Sequence, residues 1–314
     1  MEDAVLRGTM LYLAEQPTMK SVFGGPLAKP LVRRFVAGET LAEALTAVRA
    51  INDAGMTVSL DNLGESVANA EAANAAAAEY IGILHAIERA GADANASVKL
   101  TQMGLDVDDT LCRRNISRIL AQAEQFGNFI RLDMEGSAYT DATLTMFHEL
   151  WGRYKNVGVV IQAYLYRSED DIRELNQLGA RVRLCKGAYK EPESVAFPAK
   201  SAVDANFVKL MQLLLSEGTY PGIATHDEQM IAATRDYAAK NNIPSDRFEF
   251  QMLYGIRRDL QAQLVRDGYR LRIYAPYGRE WYPYLMRRMA ERPANMMFVL
   301  GGVLKERPAL RGNR

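Results

Sequence analysis

The sequence predicts an α/β protein built as a (βα)8 barrel. Three observations carry this. Eight short apolar segments of strand character alternate with eight helix-like segments from about residue 56 onward. No break in composition divides them, and 314 residues suit one barrel with additions. No GxGxxG follows a strand, so the dinucleotide-binding turn of a doubly wound sheet, the alternative architecture, is not written here.

In chain order, residues 1–55 read as a helical segment packed on the barrel. Leu6, Met10, Leu11 and Leu13 give a partial apolar face, and Gly24-Gly25-Pro26 breaks it. Thr40 and Glu43 form a capping box at the start of a helix reaching about Asn52. Met56–Asp61 is the first strand. Residues 68–91 are rich in Ala and Glu, which means high helix propensity and nothing more. The remaining strands are expected at Ser97–Thr101, Phe129–Asp133, Val157–Gln162, Arg181–Cys185, Gly222–Thr225, Phe248–Met252 and Leu271–Tyr274. Helices are expected at about 68–90, 107–126, 140–154, 168–177, 201–217, 227–240, 256–267 and 280–291. The barrel then spans 56–300, with a tail at 301–314.

Charge and composition exclude some functions. Acidic and basic residues balance at 38 each, and no basic stripe with interleaved aromatics marks a nucleic-acid surface. Cys112 and Cys185 have no metal or redox spacing and suggest a reducing, cytoplasmic compartment. No apolar run approaches the ~20 residues of a membrane span. The N-terminus lacks a signal-peptide pattern.

Strand alternation points to a site. Val58, Leu60, Val98, Leu100, Ile130, Leu132, Val159, Ile161, Val182, Leu184, Leu271 and Ile273 share the face that packs under the helices. The opposite face carries Asp61, Lys99, Asp133, Gln162, Arg183 and Tyr274, joined by Thr225, His226 and Gln251. Barrel interiors are normally filled with branched apolar side chains, and inward charges are costly unless paired or bound to something. A polar ring at the C-terminal mouth therefore reads as a site.

The stretch Tyr274–Glu291 adds an anion clamp. A turn is expected at Pro276 and Gly278, then a helix with Pro283 in its first turn. Tyr284, Arg287, Arg288 and Glu291 fall on one helix face. The two arginines read as lying close to the positive helix end, where cations are disfavoured, so a carboxylate or phosphate ligand is expected there. A solvated Arg pair balanced by Glu291 is the plainer reading. Lys186-Gly187-Ala188 can cradle a phosphate, though this tripeptide alone is a weak signal. His85 and His148 sit in helical stretches and read as structural. His226 follows a strand, but no second ligand at metal spacing accompanies His226–Asp227, so no metal is expected.

Several motifs resemble the proline dehydrogenase family. They are Arg183-Leu-Cys-Lys-Gly-Ala-Tyr189, Phe248-Glu-Phe-Gln-Met-Leu253, Tyr274-Ala-Pro-Tyr-Gly with Tyr284-Leu-Met-Arg-Arg288, Asp61-Asn-Leu-Gly-Glu65, Val98-Lys-Leu100 and Ala224-Thr-His226. The chain is similar to the small monofunctional bacterial form, with nothing left over for an aldehyde dehydrogenase module. The resemblance implies a distorted (βα)8 TIM-type barrel with extra N-terminal helices, noncovalent FAD, and oxidation of L-proline to Δ1-pyrroline-5-carboxylate. It implies a membrane quinone as electron acceptor, with peripheral contact on the inner face of the cytoplasmic membrane. The product passes to a separate pyrroline-5-carboxylate dehydrogenase. The resemblance also implies roles. Asp133 and Arg183 act at the reacting centre. Lys99, Arg287 and Arg288 hold the proline carboxylate, and Tyr274, Tyr284 and Leu253 enclose the ring. Met134, Gln162, Arg183, Lys186, Gly187, Ala188, Thr225 and His226 hold FAD, and Glu65 and Glu291 pair with the arginines. Two other readings keep the barrel: a Schiff-base enzyme using Lys99 or Lys186, and a non-catalytic anion binder.

Overall fold

The computed structural model describes residues 29–64 and 66–291, with residues 29–31, 287 and 289–291 described by backbone alone. Eight parallel strands close into a barrel in sequence order. They are β1 (Thr57–Asn62), β2 (Ala94–Val98), β3 (Ile130–Leu132), β4 (Val157–Gln162), β5 (Arg181–Cys185), β6 (Gly222–Ala224), β7 (Glu249–Leu253) and β8 (Leu271–Tyr277). Two helices precede them, α1 (Lys29–Phe35) and α2 (Leu41–Asp53). One helix follows each strand: α3 (Ala70–Ala90), α4 (Asp109–Gln125), α5 (Thr140–Trp151), α6 (Ser168–Gln177), α7 (Lys200–Glu217), α8 (Glu228–Lys240), α9 (Arg258–Arg266) and α10 (Trp281–Glu291).

The expected alternation explains the packing. Val58, Leu60, Val98, Ile130, Leu132, Val159, Leu184 and Ile273 are buried in one apolar layer with Tyr80, Ile83, Ile116, Phe147, Phe207 and Leu264 from the helices. Burial on both sides is what parallel strands require. The capping box of α2 is present: the Thr40 side chain accepts from Glu43 N–H while Glu43 reaches back to the cap. Among the described helices, α3 begins at an Asn69 cap and ends at Gly91.

Three local expectations need correction. The strand expected at Ser97–Thr101 starts and ends three residues earlier, at Ala94–Val98. Ala94-Asn95-Ala96 carries little strand signal by itself, but Ala94 pairs with Val58 and Ala96 with Leu60. Lys99 therefore stands just past the strand end, at the mouth. The last strand does not turn at Pro276 but runs to Tyr277, with Pro276 opposite Asp61 of β1. Partners hold this extension. Ala37 N–H donates to the Pro276 carbonyl at 2.8 Å and Leu63 N–H to that of Tyr277 at 2.8 Å. The turn is left to Gly278.

The third correction concerns α10. Its first helical residue is Trp281, so Arg287 and Arg288 are the seventh and eighth, nearly two turns in. Dipole effects fade within the first turn, so these arginines are not strained by the helix start. Pro283 does sit in the first turn. The helix packs on α1: Val32 and Val36 form one buried cluster with Leu63, Trp281, Tyr282, Tyr284, Leu285 and Met286. This lays the face bearing Tyr284 beside the β1 and β8 ends.

Candidate active site

Side chains from six strand ends converge at the C-terminal mouth. Lys99 donates to Asp61 Oδ1 at 2.8 Å and approaches the Tyr274 hydroxyl at 3.5 Å. Tyr274 in turn donates to Asp133 Oδ2 at 2.7 Å. The other oxygen of Asp133 accepts from Arg183 at 2.7 Å. Arg183 also donates to Ser97 Oγ at 3.1 Å, Ser59 Oγ at 3.4 Å and the Gln251 side-chain oxygen. Its guanidinium lies 5.2 Å from the Tyr274 ring centre. Asp61, Lys99, Asp133, Arg183 and Gln251 are all at most 8% exposed. The inward charges are thus paired one against another, as burial demands.

Burial shapes the titration of this cluster. It raises the pKa of Asp61 against the opposing pull of Lys99, and Asp133 adds to the rise. Burial also pushes the Tyr274 phenol well above its ordinary value, assisted by Asp133 and Asp61. Tyr274 stays a neutral hydroxyl that donates to the carboxylate.

A second group lines the adjoining rim. Gln162 donates from its amide to the carbonyls of Met134 at 3.4 Å and Glu135 at 3.2 Å. Its own side-chain oxygen is buried with no hydrogen-bond partner among the described residues. A buried polar atom of this kind calls for a donor from a ligand. Lys186 donates to Asp227 at 2.8 Å and to Asp204, so its ammonium is fixed above the end of β5. Gly187 follows with φ +105°, and a Cβ there would stand 2.4 Å from the Tyr164 ring. Only glycine lets the backbone pass here, leading to the exposed Ala188. Thr225 accepts from Asp227 N–H at 3.1 Å, while His226 Nε2 accepts from Leu253 N–H at 2.8 Å. The His226 ring therefore acts as a strut between β6 and β7.

The clamp is placed in part. Arg288 is half-buried, with its guanidinium 5.4 Å from the Tyr284 ring centre. Glu65 lies outside the described residues, as do the side chains of Arg287 and Glu291. Sequence reasoning missed the layer below the mouth: Ser59, Ser97, Asn95, Arg131, Glu249 and Arg272, which are mostly buried. Their parity was available. Each lies two or four residues before a residue already placed inside, and charges in mid-strand carry the same signal as those at strand ends. Glu135, which accepts from Thr101 N–H and hydroxyl, was also missed.

Together these features define a class: a (βα)8 barrel whose C-terminal mouth holds fixed opposite charges, an aromatic hydroxyl and a Gly-relieved cradle for a polar ligand. The chain belongs to the proline dehydrogenase family, whose model matches residues 44–300. It is 42% identical over 310 residues to proline dehydrogenase of Deinococcus radiodurans, covering 97% of this chain and 100% of that one. It is 41% identical over 302 residues to proline dehydrogenase 1 of Bacillus subtilis strain 168, covering 96% of this chain and 100% of the relative. Among solved structures, proline utilization A (PutA) from Bdellovibrio bacteriovorus, inactivated by N-propargylglycine, superposes with a TM-score of 0.80 at 28% identity. That match covers 89% of this chain and 34% of the other, so this chain spans about a third of its length.

Proposed function

We propose that this chain oxidises L-proline to Δ1-pyrroline-5-carboxylate with noncovalently bound FAD, the electrons passing to a membrane quinone. The observation that carries the reading is the buried Lys99–Asp61, Tyr274–Asp133–Arg183 cluster at the barrel mouth, in a chain of this family. Proline presents one carboxylate, one amine and an apolar ring, and such a site needs fixed charges and a hydrophobic wall. Arg287, Arg288 and Lys99 are assigned to the carboxylate. Leu253, Tyr274 and Tyr284 are assigned to the ring. Bound FAD supplies the two-electron acceptor that oxidation of the C–N bond requires.

The cradle residues fit that group. Gln162 offers an unused buried acceptor oxygen for a ring N–H, beside Met134. Gly187 and Ala188 offer backbone N–H groups, and Lys186 a cation, to phosphates; Thr225 and His226 close the same rim. Arg183 is a fixed cation where negative charge collects during the reaction, the arrangement that favours a transition state over a ground state. Asp133 holds Arg183 and Tyr274 in register through two short hydrogen bonds. In the Schiff-base alternative an amine must be free to attack, whereas Lys99 and Lys186 are both locked against carboxylates.

No described helix is long and apolar enough to cross a membrane, so contact with a quinone pool is assigned to a peripheral surface. The test is an anaerobic titration of the purified protein. A flavin spectrum that bleaches on adding proline, and recovers with a soluble quinone, supports the reading. A colourless protein, or flavin indifferent to proline, overturns it.

A further inference from the structure

The barrel floor, on the side away from the mouth, carries more positive charge than its carboxylates balance. A cavity there is lined by Asn95, Phe129, Arg131, Arg181, Tyr220, Glu249 and Arg272, with Arg183 and Gln251 as its ceiling. It offers about 40 Å³ of free space. That suits a few waters or one small ion, since a single water needs roughly 10–15 Å³ on this scale.

The pairing can be followed one guanidinium at a time. Arg183 is paired with Asp133 at 2.7 Å, and Arg272 with Glu249 at 2.7 Å. Glu249 also accepts from Gln251 at 2.6 Å and from the Tyr220 hydroxyl at 3.2 Å, so its oxygens are committed. Arg131 and Arg181 have no carboxylate within ion-pair distance among the described residues. Arg181 is exposed at the floor's rim, between the Phe129 and Tyr220 rings, where water screens it. Arg131 is 4% exposed. It donates through one nitrogen to the carbonyls of Val159, at 3.1 Å, and Arg181, and stacks on Phe129 at 4.9 Å. Burial, followed by repulsion from Arg183 and Arg272, drives its pKa well down, and the more distant Glu249 and Asp133 offset this only in part. A guanidinium does not deprotonate in proteins, so the charge persists and needs a counter-charge. Gly158 makes way for the guanidinium itself, since a Cβ there would stand 2.6 Å from the Arg131 nitrogen; the free space is that of the cavity.

We propose that the barrel floor binds a small inorganic anion of chloride size, held by Arg131 and entered past Arg181. The site is separated from the mouth by the Arg183–Gln251 layer and does not depend on the assignment of proline or flavin.

The test titrates the purified holoenzyme with chloride against gluconate at constant ionic strength, reading the thermal midpoint. The expected result is a saturable rise with chloride that gluconate, too large for the cavity, does not produce. Arg131→Met is expected to abolish that rise. In parallel, wild-type crystals soaked in bromide are expected to show anomalous density within ion-pair distance of Arg131. Equal responses to both salts, a chloride response retained in Arg131→Met, or bromide density absent from the floor each overturn the proposal. If Arg131→Met does not fold, the bromide map on wild type decides.

Discussion

Arg183 connects the two halves of the barrel interior. It is tied upward to Asp133 and sideways to Ser97 and Gln251. Under the proposed function, Arg183→Ala slows single-turnover flavin reduction by proline about 10²–10³-fold, the usual effect of removing one charge-stabilising donor. The proline Kd should move far less, and stopped-flow at several proline concentrations separates the two. Glu249 makes the opposite kind of contribution. Burial disfavours its charge, but Arg272 and Gln251 outweigh this and its pKa is lowered. A lowered carboxylate stabilises the fold above the unfolded value of about 4.3 and loses that contribution as pH falls through the folded value. Glu249→Gln should therefore cost about 3–5 kcal/mol at pH 7, by stranding Arg272. The gap from wild type should narrow below about pH 4. Urea unfolding at the two pH values checks this; a gap independent of pH would remove Glu249 as the ionised partner.

At the scale of elements, α10 is held by α1 and by the extension of β8. The turn after β7 reaches α1 at Gly255, where φ is +76° and a Cβ would stand 1.7 Å from the Arg34 carbonyl oxygen. Gly255→Ala should cost about 1–3 kcal/mol in strain and push α1 off the barrel. Limited proteolysis should then cut near residues 29–40 before global unfolding; an unchanged digestion pattern and midpoint would deny the contact. Arg288 sits on α10 itself. Its position nearly two turns in means its charge is tolerated rather than strained, so Arg288→Met should leave folding and flavin content close to wild type. Loss of a charge-assisted hydrogen bond of roughly 1.5–3 kcal/mol should lower kcat/KM for proline about 10- to 150-fold. Inhibition by a carboxylate-bearing ring analogue should weaken in parallel. A surface pair would change either by less than ~1 kcal/mol.

At the scale of the whole molecule, the proposed function predicts that flavin leaves with acid precipitation. No His or Cys stands in a flavin-linkage motif: Cys112 is buried in the core with its thiol donating to the Leu100 carbonyl, and His226 is engaged with Leu253. Yellow colour retained in the pellet would contradict noncovalent binding. The sequence by itself determined the barrel, because period-2 apolar runs and period-3.6 helices are local patterns and eight alternations of them have few closures. It also determined which side chains point inward, since a strand's parity fixes its faces. Thus Asp61, Lys99, Asp133, Arg183, Gln251 and Tyr274 were legible. Only the tertiary structure decided who pairs with whom. Asp61 meets Lys99 across 38 residues, and Tyr274 meets Asp133 across 141. It also decided where edges with weak local signal end, such as Ala94–Val98 and the run of β8 through Pro276, because partner strands supply the hydrogen bonds. The excess cation at the floor belongs to this second kind. Arg131 looks ordinary in sequence, and only closure of the barrel takes it from water with no carboxylate within ion-pair distance among the described residues.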